Sequence, residues 1–195
     1  MEILAVFITA VVAENLFFAR AFDIYGVKEL HKNPKKMLFF GLFLTAVLML
    51  TGSVSYFING FISKLSIYSY IRATINILIL VLLYVILYLV LEKMLPKVLE
   101  KVSKILPYTI LNSAALGTLI LVAKDTEIDS LTKALAYYCG AGIGYTLSML
   151  LLCSLHRRLS DSDCAKSFRG LPLQMITVGL IAMAMVGLVG NQLPA

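Results

Sequence analysis

Two polar pairs interrupt otherwise apolar stretches of this chain: Glu14-Asn15 near its start and Asn112-Ser113 past its middle. Polar and ionisable groups in hydrocarbon are costly and mark ion or electron paths, so Glu14, Asn15, Asn112 and Ser113 are the candidate positions for one. Glu14 could carry a proton or a cation; alternatively it is neutral, or paired with Arg20 about 1.7 helical turns away. Asn and Ser inside a span also serve simply to hydrogen-bond a neighbouring helix, contributing on the order of 1 kcal/mol. The other reactive side chains do not converge. Cys139, Cys153 and Cys164 are odd in number and lack a CxxC spacing. Cys139 and Cys153 fall on one face of one span but about 21 Å apart along it, too far to share a metal or cluster. His156, Asp161, Asp163 and Cys164 match no ligand spacing and read as a solvated loop. These residues therefore assign no catalytic, cofactor-binding or metal-ligating position.

The elements that must position the polar pairs are membrane spans. The chain has 195 residues, 60% of them hydrophobic and 14% charged, with mean hydropathy +0.91, outside the range of soluble domains. This composition predicts an all-α integral membrane protein. Apolar stretches of about 20 residues, the length a bilayer requires, occupy roughly 3–22, 37–58, 73–91, 106–123, 134–155 and 171–190. Six spans leave only short connections, so residues 1–195 form a single membrane domain with no soluble part large enough for a nucleotide, flavin or haem pocket. Met1-Glu2-Ile3-Leu4 lacks a basic leader region, and the first span is expected to be retained although Ala10 and Ala13 resemble a cleavage site.

Lys and Arg set the orientation. Arg20, Lys28, Lys32, Lys35 and Lys36 fall in the first connection, Lys93, Lys97, Lys101 and Lys104 in the third, and Arg157, Arg158, Lys166 and Arg169 in the fifth. Only Lys64, Arg72, Lys124 and Lys133 fall in the second and fourth. Cytoplasmic connections are enriched in these residues, which places the odd connections in the cytoplasm and both termini outside. The net charge of +6 is thus an orientation signal. Without a basic patch interleaved with aromatics on a folded surface, no nucleic-acid partner is indicated. The third connection, Lys97 to Leu106, is amphipathic and is expected to lie flat on the inner membrane surface.

Shifting the sequence by 97 residues carries Asn15 onto Asn112, Lys36 onto Lys133 and Arg72 onto Arg169. With three spans per half, the second half enters the membrane from the opposite side. The spans are therefore expected to form two inverted three-helix repeats, about 1–96 and 97–195. In such folds the first helix of each repeat is often broken at the midplane, so the first and fourth spans are candidates for a break at their Asn residues. Asn76 has no counterpart of its type under the shift and is assigned to packing. Ala136, Gly140, Gly144 and Ser148 recur every four residues, a small-residue stripe that lets another helix backbone approach closely. Gly140, Gly142 and Gly144 lack the preceding strand of a phosphate cradle.

The polar pairs in context, Glu14-Asn15-Leu16-Phe17 and Asn112-Ser113-Ala114-Ala115-Leu116-Gly117, together with Phe168-Arg169-Gly170-Leu171-Pro172 before a Gly/Ala/Met-rich last span, resemble the Rnf/Nqr membrane-subunit family (RnfA, RnfE, NqrD and NqrE), and within it the RnfA branch. The resemblance covers essentially the full length. Its most specific part is Ser167 to Gly190, including Ile176-Thr177-Val178-Gly179-Leu180. It implies a bacterial inner (plasma) membrane complex that passes electrons from NADH or ferredoxin and couples this to sodium or proton movement. It further implies partnership with a homologous membrane subunit, flavin and iron–sulfur centres in the accompanying subunits, and a cluster held by cysteines from the broken first and fourth spans.

The chain departs from that last pattern. Ser113 stands where the family has its fourth-span cysteine, and Arg20 to Gly26, where the first-span cysteine falls, offers Asp23 but no cysteine. Serine is a poor cluster ligand. The expectation is a non-catalytic membrane subunit of an ion-translocating oxidoreductase complex, without its own iron–sulfur cluster and with no cofactor in this chain. The competing expectations are a divergent inverted-repeat transporter of an ion or small solute using Glu14, Asn15 and Asn112, and a non-catalytic scaffold subunit.

Overall fold

The structure, a computed structural model, describes residues 2–19, 34–64, 67–94, 103, 106–125, 128–160 and 170–189. All regular structure among them is helical: α1 (Glu2–Val12), α2 (Pro34–Ile62), α3 (Tyr68–Met94), α4 (Leu106–Ile110), α5 (Ser113–Lys124), α6 (Leu131–Ser160) and α7 (Leu171–Val189). Four segments are long and apolar enough to cross a membrane, Pro34–Ile62, Tyr68–Met94, Leu106–Lys124 and Leu131–Leu155, while Glu2–Val12 and Pro172–Gly187 are shorter apolar helices. The six expected spans match these segments, α4 and α5 together making one. The first is short as a helix because it stops at Val12, before the polar pair. The fourth is interrupted at Leu111-Asn112. Both candidate breaks are thus present. Apart from Ser103 and Leu106 the amphipathic third connection lies outside the described residues, as do Arg20 and the loop containing Asp161, Asp163 and Cys164.

The long helices bury three threonines, Thr45, Thr51 and Thr146. Thr45 donates to the Gly41 carbonyl at 2.8 Å, Thr51 to Val47 at 2.7 Å and Thr146 to Gly142 at 2.7 Å. Each hydroxyl is satisfied inside its own helix, so these residues act as small apolar units towards their neighbours. Pro107 and Pro172 sit at the second positions of α4 and α7, where a missing amide costs little. Gly170, just before α7, holds φ +90, a left-handed conformation that disfavours any Cβ. Its carbonyl accepts the Gln174 amide at 3.2 Å.

At the centre, α6 packs most extensively against α2 and α1, and buries Tyr138, Tyr145 and Met149 against Phe40, Leu44 and Leu48. Helix α2 runs antiparallel to it, with Gly41 opposite Thr146, Gly142 opposite Thr45 and Gly52 opposite Tyr138. Helix α1 runs parallel to it: Gly140 meets the Phe7 carbonyl and Gly144 meets Val11. The small-residue stripe thus finds its partner in α1. Outside this core, α3 shows Leu78, Leu82, Ile86 and Leu89 on an exposed face, and α7 rests on the bundle through Val178, Ile181, Ala182 and Met185. Exposed aliphatic faces of this extent belong in lipid or against other membrane subunits.

A Cβ at Gly144 would lie 2.8 Å from the Val11 carbonyl oxygen and 3.0 Å from its Cα, whereas one at Gly60 meets nothing within 4 Å. Backbone cannot step aside as a flexible side chain can, so Gly144→Ala is expected to cost about 1–3 kcal/mol. In mild detergent its thermal midpoint should fall clearly below that of Gly60→Ala. Equal midpoints would mean that α1 does not rest on α6.

Candidate functional site

The first span ends its regular helix at Val12, and the Glu14 amide reaches back to the Thr9 carbonyl at 2.9 Å. A helix broken in an apolar setting leaves amides and carbonyls that must find protein partners. Asn15 supplies them. Its Oδ1 accepts the amides of Phe17 at 3.1 Å and Phe18 at 3.2 Å, and its backbone carbonyl accepts the Ala19 amide at 2.9 Å, starting a new turn beyond the break. Its Nδ2 donates back to the Val11 carbonyl at 3.0 Å and across to the Gly144 carbonyl at 3.1 Å, while Ser148 donates to Oδ1 at 2.9 Å. One side chain therefore closes both ends of the break and fastens it to α6. Asn15 is 4% exposed, and Leu16, Phe17 and Phe18 are buried around it, the two phenyl rings edge to face.

The fourth span repeats the device. Asn112 is extended, with φ −101 and ψ 142, and caps α5: its Oδ1 accepts the Ala114 amide at 2.9 Å and its carbonyl accepts the Leu116 amide at 3.1 Å. Before the break, the Leu111 amide still reaches the Pro107 carbonyl at 2.9 Å. Asn112 is buried, whereas Ser113 at the first position of α5 is exposed, as is Leu111. In both spans an Asn carbonyl oxygen accepts the amide two residues on, and its backbone carbonyl accepts the amide four residues on. Local hydrogen bonding thus agrees at the two positions that the 97-residue shift superposes.

Glu14 is half-buried, and its carboxylate accepts a hydrogen bond from the Tyr137 hydroxyl of α6. At the other end of the same seam, Lys133 bridges Glu2 at 3.1 Å and Asp129 at 3.0 Å. The donated Lys133 hydrogen bond holds the exposed Asp129 carboxyl below its ordinary range. That contact is therefore kept above the usual carboxylate range and lost only as pH falls through the depressed value.

Tyr137 gave no signal in sequence, because a tyrosine beside small residues reads as packing. A second missed group lies between α2 and α3. Asn76, assigned to packing, is fully buried and sits in a polar network with Ser55, Asn59 and Tyr68. The signal for it was present, since Thr51, Ser55 and Asn59 recur every four residues on α2. Cys153 is buried and Cys139 half-buried on α6. Among the described residues no three His, Cys, Asp or Glu side chains come together.

The family model described as "Rnf-Nqr subunit, membrane protein" matches residues 3–191. Proteins named for one subunit of an ion-translocating oxidoreductase complex are similar across almost the whole chain. The one from Ectopseudomonas mendocina (strain ymp) is 24% identical, that from Vibrio vulnificus (strain YJ016) 25% and that from Aliivibrio fischeri (strain ATCC 700601 / ES114) 26%, each over 189 residues and 97% of both chains.

Replacing Asn15 by Asp keeps the acceptor for Phe17, Phe18 and Ser148 but removes the donors to Val11 and Gly144. Losing buried donors costs about 1–3 kcal/mol, and although the Gly144 carbonyl keeps the Ser148 hydroxyl at 2.9 Å, a carboxylate beside it adds repulsion. Asn15→Asp is therefore expected to lower thermal stability more than Ser148→Ala, which removes one hydroxyl. The opposite order in a detergent melting series would show that the Asn15 amide does not hold the break.

Proposed function

The chain belongs to the Rnf-Nqr family of membrane subunits, and from that membership we propose that it is a membrane subunit of an ion-translocating oxidoreductase complex, coupling electron transfer in its partners to sodium or proton movement. The observation that carries the reading is the pair of Asn-capped breaks, at Asn15 and Asn112, in otherwise apolar spans. The relatives' shared name and their coverage of 97% of the chain support it.

In this reading residues 1–195 are one membrane domain of two inverted three-span repeats, about 1–96 and 97–195. The matching hydrogen bonds at the two breaks support that arrangement. The odd connections, rich in Lys and Arg, face the cytoplasm of a bacterial inner membrane, and both termini lie outside. Glu14, Asn15, Asn112 and Ser113 line the path, and Glu14, held by Tyr137, is the group that takes up the proton or cation.

The chain carries no iron–sulfur cluster of its own. The donor set does not fit one: a serine hydroxyl stands at position 113, residues 20–26 contain no cysteine, and Cys139 and Cys153 lie on α6, in neither interrupted span. Electron carriers, flavin and iron–sulfur centres, reside in the partner subunits, one of them a homologous membrane subunit.

Capture of the chain from native membranes in mild detergent, with mass spectrometry and metal analysis, is expected to recover flavin- and iron–sulfur-bearing subunits, and no iron once the chain is separated anaerobically from them. Recovery of the chain alone would remove the complex from the proposal, and stoichiometric iron in the separated chain would remove its clusterless state. Glu14→Gln is expected to abolish ion-dependent activity of the complex while expression and membrane insertion persist; unchanged activity would reduce Glu14 to a structural residue.

A further inference from the structure

Arg72 is a charge that the fold positions without neutralising. It is the fifth residue of α3, half-buried, and stands where the apolar run of that helix begins. Helix α2, the residues joining it to α3, and α3 itself contain no acid before Glu92, which lies about 30 Å further along the axis. Among the described residues Glu2 and Asp129 both pair with Lys133, and Arg72 has no carboxylate partner. Helix α3 has no acid in its first turn either, so the partial positive charge of its N-terminal end meets a guanidinium where a carboxylate would be favourable. Both features ask for an anion from outside the chain.

The guanidinium is nonetheless held in place. Helical side chains lean towards the N-terminus, and Arg72 lies over the Tyr68 ring, 5.8 Å from its centroid. The Tyr68 hydroxyl donates to Asn59 Oδ1 at 3.0 Å, and Asn76 Nδ2 donates to the Arg72 carbonyl at 2.9 Å. Ser55, Asn59 and Asn76 satisfy one another around these bonds, so the buried network is a fixed platform for ring and arginine. An arginine that only reached for water would need no such support. Beyond it, α3 is the least buried of the four long spans, and Leu78, Leu82 and Ile86 are exposed. A cationic fork at the edge of an uncovered aliphatic face matches the two ends of one kind of molecule. We propose that Arg72 binds the phosphate of an anionic phospholipid of the phosphatidylglycerol class, whose acyl chains lie on the exposed face of α3. The planar guanidinium pairs with phosphate oxygens through two parallel hydrogen bonds, and the same phosphate answers the dipole of α3. A zwitterionic lipid brings its own cation, which competes with Arg72 for the phosphate. The site is separate from the Asn15 seam and stands whether or not the chain serves a redox complex.

The chain contains no tryptophan, so Leu78→Trp, at a residue 62% exposed and about 9 Å along α3 from Arg72, supplies a single fluorescent reporter. The full chain carrying it is reconstituted into phosphatidylcholine bilayers in which a fraction of the lipid, phosphatidylglycerol or phosphatidylcholine, has brominated, quenching acyl chains. Phosphatidylglycerol is expected to occupy the reporter's site at least about threefold more strongly than phosphatidylcholine. Arg72→Gln is expected to remove that preference, and Lys93→Gln, at the opposite end of α3, to leave it intact. Equal quenching by the two lipids overturns the proposal, as does an unchanged preference in Arg72→Gln or an equal fall in Lys93→Gln, which would mark general attraction to basic residues. Should Arg72→Gln fail to fold, Arg72→Lys takes its place: it keeps the charge without the fork, the preference is expected to fall part of the way, and an unchanged value overturns the proposal equally. Excess inorganic phosphate, compared with chloride at equal ionic strength, is expected to leave the preference intact. Its abolition would assign Arg72 to a free anion and overturn the lipid.

Discussion

A helix that stops inside hydrocarbon releases amides and carbonyls where no water can receive them, and the rest of this bundle is arranged around meeting that demand. Asn15 meets most of it at the first break. Its amide bonds both sides of the interruption and the backbone of α6 at once. For the Gly144 carbonyl to come within reach, α1 must lie directly on α6, and only residues without side chains at positions 140 and 144 permit that approach. The break, the small-residue stripe and the central place of α6 are therefore one solution to one problem. An amide serves better than an acid or a hydroxyl at position 15, because it carries two donor protons and its acceptor on separate atoms, whereas a hydroxyl has a single proton and a carboxylate none.

Much of this could be read from residue types. Asn in an apolar run is expensive enough that its presence marks a polar task, and at Asn15 and Asn112 that task is to cap a break. Glycines four apart cannot contribute side-chain packing, so they announce a close approach. What the sequence could not say is who approaches. Spacing along one helix carries no information about its partner, and the partner of Gly144 lies more than a hundred residues earlier. The same gap hides Tyr137, whose link to Glu14 spans 123 residues. The polar face of α2 was open to inspection at Ser55 and Asn59, but Asn76 became its complement only once α3 was seen to lie against it.

Two kinds of polar side chain share these helices, and they do different work. The threonines return their protons to their own helix, so they are nearly silent in helix packing. Asn15, Asn59 and Asn76 cannot do so completely, since each has more hydrogen-bonding capacity than one turn of helix can absorb. Their surplus is what reaches across to another element. Membrane bundles lack the hydrophobic drive that joins helices in water, and they use such surplus polar groups and close small-residue contacts instead.

The parallel seam between α1 and α6 also bears on how the chain is made. Its hydrogen bonds join residues 129 and 133 positions apart, so the first helix enters the bilayer long before the surface that completes it exists. Until α6 arrives, the Asn15 side chain lacks its Gly144 acceptor and its Ser148 donor. During synthesis the first span must therefore be sheltered, by the insertion machinery or by a shallow position near the headgroups. The step that fixes it in depth comes late, when Gly140 and Gly144 slide beneath Phe7 and Val11. In this protein α1 is inserted well before the contact that locks it.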